Sequence, residues 1–198
     1  MRSRLLESAL MDNKIMRTAF LPCILSVWFM PSAYAEPQLP AIGEAPPMVL
    51  EKLGNHRRTI STNSEEARKW FDQGLALMFG FNFDGAIASF RQATVHDPNC
   101  AMAWWGIAYA AGPNQNNPTM KPPKDEWAYA ASRRAFQLRQ YETGANRALI
   151  EAIVERYNYP VPEDLTEQNF SYLDAMESAH KQFPMDPDVT TWTAEAMM

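Results

Sequence analysis

The chain has 198 residues, a formal net charge of −5, 46% hydrophobic residues and 12% aromatic residues. That is enough apolar material for the core of one domain or a short run of stacked repeats. Basic residues gather no further than Arg57-Arg58 and Arg133-Arg134, so the surface that nucleic-acid binding requires is missing from the sequence.

Met16-Arg17 leads into the apolar run TAFLPCILSVWFM and then PSAYAEP, with Ala33 and Ala35 in an A-x-A arrangement. Positive start, apolar centre and small-residue site predict a cleaved signal peptide over residues 1–35. The apolar centre falls well short of the roughly 20 residues of a membrane-spanning helix, so no stable membrane anchor is read. Met11 and Met16 make more natural starts than Met1. Cys23 follows Leu21-Pro22, an unsuitable context for lipidation, and it lies upstream of the cleavage motif. Only Cys100 then remains, so no internal disulfide can form and packing must hold the fold. The expected location is exported, periplasmic or secreted.

Residues 36–63 read as a Pro-rich and polar linker or loosely docked arm, because its prolines deny regular ladders. Asn63-Ser64-Glu65-Glu66 then supplies a cap and acids suited to a helix start. From residue 64 to 198 the pattern is helical. Ala67, Trp70, Phe71, Gly74, Leu75, Leu77 and Met78 make one stripe, and Ala86, Ile87, Phe90 and Ala93 make a second. Phe81 to Asp84 is the turn between them, and Asp97-Pro98-Asn99 stops the hairpin.

With Ala67 as position one of a 34-residue unit, Trp70, Gly74, Phe83, Ala86, Phe90, Ala93 and Pro98 fall where tetratricopeptide (TPR) repeats place an aromatic or small residue and a closing proline. Small residues let two helices approach, and large ones fill the gaps beside them. Gln73 and Leu77 depart from that pattern. Residues 67–100 therefore resemble one clear repeat. A second unit begins in register at Ala101, with Trp104, Ile107 and Ala108, and breaks at GPNQNNPTMKPPKDEW before resuming near Asp125. Residues 101–140 read as a degenerate repeat with a loop inserted between its helices.

Further helices are expected over Glu142 to Tyr157, over Thr166 to Phe183 with Phe170, Leu173, Met176, Ala179 and Phe183 on its stripe, and from about Asp188 with Trp192. Residues 142–198 end without a polar cap, which a solenoid normally carries. The fold class is thus all-α: a TPR-like α-solenoid of antiparallel helix hairpins, the N-terminal fragment of a longer solenoid. Gly74-Leu75, Phe81-Asn82, Trp105-Gly106-Ile107-Ala108 and Gly112-Pro113-Asn114 resemble a narrower group of exported bacterial TPR proteins without an assigned activity. That resemblance speaks to fold more than to function.

No catalytic, cofactor or metal site is read. His56, His96 and His180 lack ligand spacing, and Cys100 has no positive neighbour to activate it. Trp70, Trp104 and Trp192 fall at or near a core position of the repeat. Phe71 and Trp105 share the position that, in the resembled family, tends to face a concave groove, so they are candidate partner anchors. Asn114 and Asn116, on the Gly112–Asn117 loop, are candidate binding amides, with turn chemistry as the plainer alternative. The functional expectation is a scaffold that binds a protein or peptide partner in its concave groove. The alternative is a ligand-binding protein or enzyme whose pocket is framed by the repeats and that loop.

Overall fold

The structure, a computed structural model, describes residues 47–198. The signal segment read at 1–35 and the beginning of the linker, through residue 46, lie outside the described residues. Among the described residues there are seven α-helices and no strand. They are α1 (Glu65–Phe79), α2 (Phe83–His96), α3 (Ala101–Ala111), α4 (Lys124–Gln137), α5 (Gly144–Ile153), α6 (Thr166–Gln182) and α7 (Pro187–Ala196), with single 3₁₀ turns at Arg139–Tyr141 and Val154–Arg156.

The ends of these helices follow from local chemistry. Ser64 caps α1 by accepting from the Ala67 amide, with Glu65 and Glu66 in the first turn, where acids meet the positive helix end. Asn82 caps α2 through the Gly85 amide. Asp186 caps α7 by accepting from the Asp188 and Val189 amides, and Pro187 stands at the first helical position, where its missing N–H costs nothing. Links of only a few residues join α1 to α2 and α2 to α3, so each helix must pack on its neighbour.

Phe90 of α2 is the wedge between α1 and α3. A Cβ placed at Gly74 of α1 or at Gly106 of α3 would lie 2.7 Å from its ring. Both glycines therefore serve close approach. α3 is buried on nearly every face, as expected of a helix that is apolar all round. α7 reaches the same core through Trp192, whose ring lies 4.5 Å from that of Trp105 and 5.8 Å from that of Phe79.

Three details differ from the sequence reading. α5 starts at Gly144, not Glu142, and yields to a 3₁₀ turn after Ile153. Glu142 is instead extended and buried, its carboxylate accepting from the amide and hydroxyl of Ser61, and Gly144 at φ +56° breaks the backbone between it and α5. Phe170 is 62% exposed, because α6 buries Gln168, Tyr172, Met176 and Ala179. The two tryptophans of α3 exchange roles. Trp105 is in the core, while half-buried Trp104 donates its indole N–H to the Pro98 carbonyl.

The segment before α1 is held along much of its length. Gln73 of α1, one of the departures from the repeat pattern, is buried. Its amide donates to the Met48 carbonyl and its oxygen accepts from the Leu50 amide. Further on, Arg57 pairs with Asp72 of α1 and buried Arg58 with Asp186 and Asp188. Thr62 bonds Asp97 beyond α2. Residues 48–62 thus form a strap across α1, α5 and α7.

Candidate functional site

Phe71 and Trp105 do not face an open groove. Phe71 is fully buried with its ring 5.4 Å from Phe90, and Trp105 is 1% exposed against Trp192. This corrects their reading as partner anchors. The physical reason is packing: Phe90 of α2 lies against Phe71, and Trp192 of α7 covers Trp105, while Arg58 of the strap lies 5.6 Å over the Trp192 ring.

The other two candidates, Asn114 and Asn116, do reach open space. Their loop is built by turn chemistry. Asn114 and Asn117 exchange backbone hydrogen bonds of 3.0 and 2.9 Å, and the Asn114 side chain accepts from the amides of Asn116 and Asn117. Its carbonyl oxygen is therefore used locally, in the manner of an Asx turn. The loop still forms walls. On one side Asn114, Gln115 and Asn116 border a cleft of about 480 Å³ whose other walls include Phe79, Phe81, Tyr109 and Trp192. On the other side Asn114 and Gln115 border a cavity of about 400 Å³ that reaches Arg156, Tyr172 and Glu195. Asn114, Gln115, Glu195 and Met198 belong to both linings.

The cleft is mostly apolar, with amides at its rim. Phe81 is 72% exposed and Phe79 37% exposed. Phe81 also adopts φ +59°, a left-handed conformation that costs a large side chain free energy. The turn bonds of its own amide and of the Asn82 amide back to Met78 and Leu77 hold it there. Neither burial nor turn preference accounts for phenylalanine at this place.

The polar cavity contains the stronger electrostatics. Arg156 is 7% exposed and donates from Nη2 to the Pro113 carbonyl at 2.9 Å and to Glu195 at 3.3 Å. Its guanidinium lies 4.5 Å over Tyr172 and 5.8 Å from the Tyr109 ring centre. Burial pushes the Tyr157 hydroxyl up to about 12, and it pushes Tyr109 and Tyr172 upward as well, against the opposing pull of Arg156. All three stay neutral hydrogen-bonding groups at physiological pH.

A third cavity, about 440 Å³, lies on the strap and is lined by His56, Arg58, Glu142, Asn146, Asp186 and Asp188, among others. Its polar groups satisfy one another. Arg58 donates to Asn146 at 2.7 Å and to Asp188 at 2.9 Å, His56 meets Asp188 at 3.0 Å, and Asn146 donates to Glu142 and to the Thr59 carbonyl. Ser61 is likewise committed to Glu142, so this cluster locks the strap in place. Sequence reading placed His56 in a loose linker and missed the lock.

Cys100 is buried, and burial chiefly drives its thiol up to about 12. Among the described residues no group of three or more His, Cys, Asp or Glu side chains could hold a metal ion, and no helix is long and apolar enough to cross a membrane. Compared with known proteins, the chain matches no family model, no curated protein and no solved structure.

Proposed function

We propose that this chain is an exported TPR-type binding module that holds a short apolar segment of a partner protein in the cleft between α1, α7 and the Gly112–Asn117 loop. The observation that carries this reading is Phe81. It is a large aromatic kept 72% exposed in a left-handed turn, beside a concave apolar cleft with amides at its mouth. Exposed aromatics around a concavity mark interaction sites, and a volume of this size is ordinary for a binding pocket. The rim amides of Asn116 and Gln115 suit a peptide backbone, and the ring walls suit one or two apolar side chains. The residues first expected to bind are both buried, Phe71 against Phe90 and Trp105 against Trp192, which favours the loop-walled cleft instead. The TPR reading itself rests on the spacing of Trp70, Gly74, Ala86, Phe90 and Pro98, and on the role of the two glycines against Phe90. Export rests on the signal pattern of residues 1–35.

Selection of displayed random peptides on the purified chain tests the reading. Enriched peptides should carry aromatic or large aliphatic anchors and should slow amide exchange in residues 79–83 and 112–117. Enriched peptides that protect residues 56–62 instead, or no enrichment at all, would refute it. Enclosure of a small molecule and no peptide would point to the ligand-pocket alternative.

A further inference from the structure

Four buried polar atoms in one small region lack any hydrogen-bond partner among the described residues: Nε and Nη1 of Arg156, the hydroxyl of Tyr172 and Oε2 of Glu195. A buried charge left unsatisfied is costly, and folded proteins leave few such atoms. Here they come from the 3₁₀ turn after α5, from α6 and from α7, and all three side chains line the same cavity of about 400 Å³. Three elements converge on a set of hydrogen-bonding groups that the described residues do not complete.

The chemistry of what completes it follows from counting. Arg156 offers unpaired N–H donors, Glu195 offers one unpaired acceptor oxygen, and Tyr172 can do either. Arg156 and Glu195 are already paired at 3.3 Å, so their charges cancel. A carboxylate would set a second anion beside Glu195, and an ammonium a second cation beside Arg156. A neutral group with a carbonyl and an N–H side by side meets both demands. That group is a primary carboxamide, whose C=O and syn N–H point the same way, whereas a trans peptide unit points them in opposite directions.

We propose that the Arg156–Tyr172–Glu195 cavity is an amide-binding subsite, with Arg156 and Tyr172 donating to the carbonyl oxygen and Glu195 accepting the N–H. The amide is a primary carboxamide, as on an Asn or Gln side chain. The proposal deepens the preceding reading and rests on it in one respect. Asn114, Gln115, Glu195 and Met198 wall both spaces, so the body attached to the amide lies in the neighbouring apolar cleft. The four atoms are closed to solvent in this conformation, and the ligand reaches them through a rotamer change in the wall.

Titration of the full chain with small probes, followed by the Arg156 Nε–H resonance in ¹⁵N-edited NMR, tests this. 3-Phenylpropanamide represents the carboxamide, N-acetylphenylalanine N-methylamide, which has no primary carboxamide, is the trans-peptide control, and 3-phenylpropionate the anionic control. The carboxamide should shift the resonance saturably, with both controls about tenfold weaker or worse. Tyr172→Phe removes a hydroxyl without a hydrogen-bond partner among the described residues, so its melting temperature should hold or rise while amide affinity drops roughly three- to tenfold. Arg156→Lys keeps the charge but removes the reporter nitrogen, so its carboxamide affinity is read by calorimetry and should fall roughly tenfold. Equal binding of either control, unchanged affinity in Tyr172→Phe, or no response from any probe at millimolar concentration would overturn the proposal. Failure of the cleft reading looks different: the amide would still move the Arg156 signal, and Phe81→Gly would leave its affinity unchanged.

Discussion

At the scale of single residues, two positions set intrinsic preference against context. Gly106 lies inside α3, where helix propensity alone favours alanine by about 1 kcal/mol. Its added methyl would lie 2.7 Å from the Phe90 ring, and Phe90 is itself fully buried between helices. Overpacking of this kind costs about 1–3 kcal/mol, so it wins. Gly106→Ala should lower stability in urea melts by about 1–2 kcal/mol net. Phe90→Leu should recover part of that loss, because the two sites share one contact. Phe81 is the opposite case. It sits at φ +59° with most of its ring in solvent. Glycine takes that backbone conformation freely. Phe81→Gly should therefore leave stability unchanged or raise it by about 1 kcal/mol while abolishing peptide capture. Loss of stability together with loss of capture would show instead that Phe81 is a structural residue.

At the scale of elements, the strap carries the argument. Arg58 and Asp188 each keep only 7% of their side-chain surface exposed, and Arg58 also engages Asn146 and Asp186. Removing one member of a buried ionic cluster strands the others, a loss of about 3–5 kcal/mol. Arg58→Ala should thus destabilise the chain by about that amount in chemical denaturation, and hydrogen exchange should quicken first in residues 56–62. Lys69 and Glu66, paired at 2.8 Å in solvent, should be replaceable without measurable effect. The contrast also explains what was legible beforehand. Helix ends were, because Ser64, Asp97-Pro98 and Asp186-Pro187 act on their immediate neighbours. The strap was not, because the Arg58 partners stand 88 and 130 residues away. Periodicity reports that a helix has a buried face and is silent on which partner buries it. That is why Phe71 and Trp105 looked open although Phe90 and Trp192 cover them, and why Glu142 was drawn into a helix that Gly144 at φ +56° interrupts. The loop at Gly112–Asn117 was legible as an interruption. Arg156, Tyr172 and Glu195 gave no sign, since each looks like an ordinary helix residue in its own segment.

At the scale of the whole molecule, stability should fall on both sides of neutral pH, for opposite reasons. On the acid side, burial alone would raise the Asp186 carboxyl, but bonds from Arg58 and from the amides of Val189 and Asp188 outweigh it and hold it below its ordinary value of 3.8. A depressed folded pKa gives stability that is present above the unfolded value and is lost as pH drops through the folded one. The strap should therefore loosen below about pH 4, seen as faster exchange in residues 56–62. Asp72 runs the other way: burial outweighs Arg57 and raises its carboxyl, so the Arg57 end of the strap does not share the acid loss. On the alkaline side, Cys100 is raised from 9.0 to about 12 and Tyr157 from 10.0 to about 12, both chiefly by burial. The unfolded chain ionises these groups first, so stability is complete below their unfolded values and decays as pH rises toward the folded ones. Each such group takes away about 1.4 kcal/mol per pH unit within that window. Unfolding free energies at pH 7 and pH 10.5 should differ by a few kcal/mol. The Tyr172 hydroxyl is raised too, again mainly by burial and against the pull of Arg156, and has no hydrogen-bond partner among the described residues. Tyr172→Phe should therefore flatten the alkaline slope without lowering stability at pH 7. A variant with reduced stability at pH 7 would mean that the hydroxyl is already satisfied within the fold, and the subsite built on its vacancy would lose its warrant.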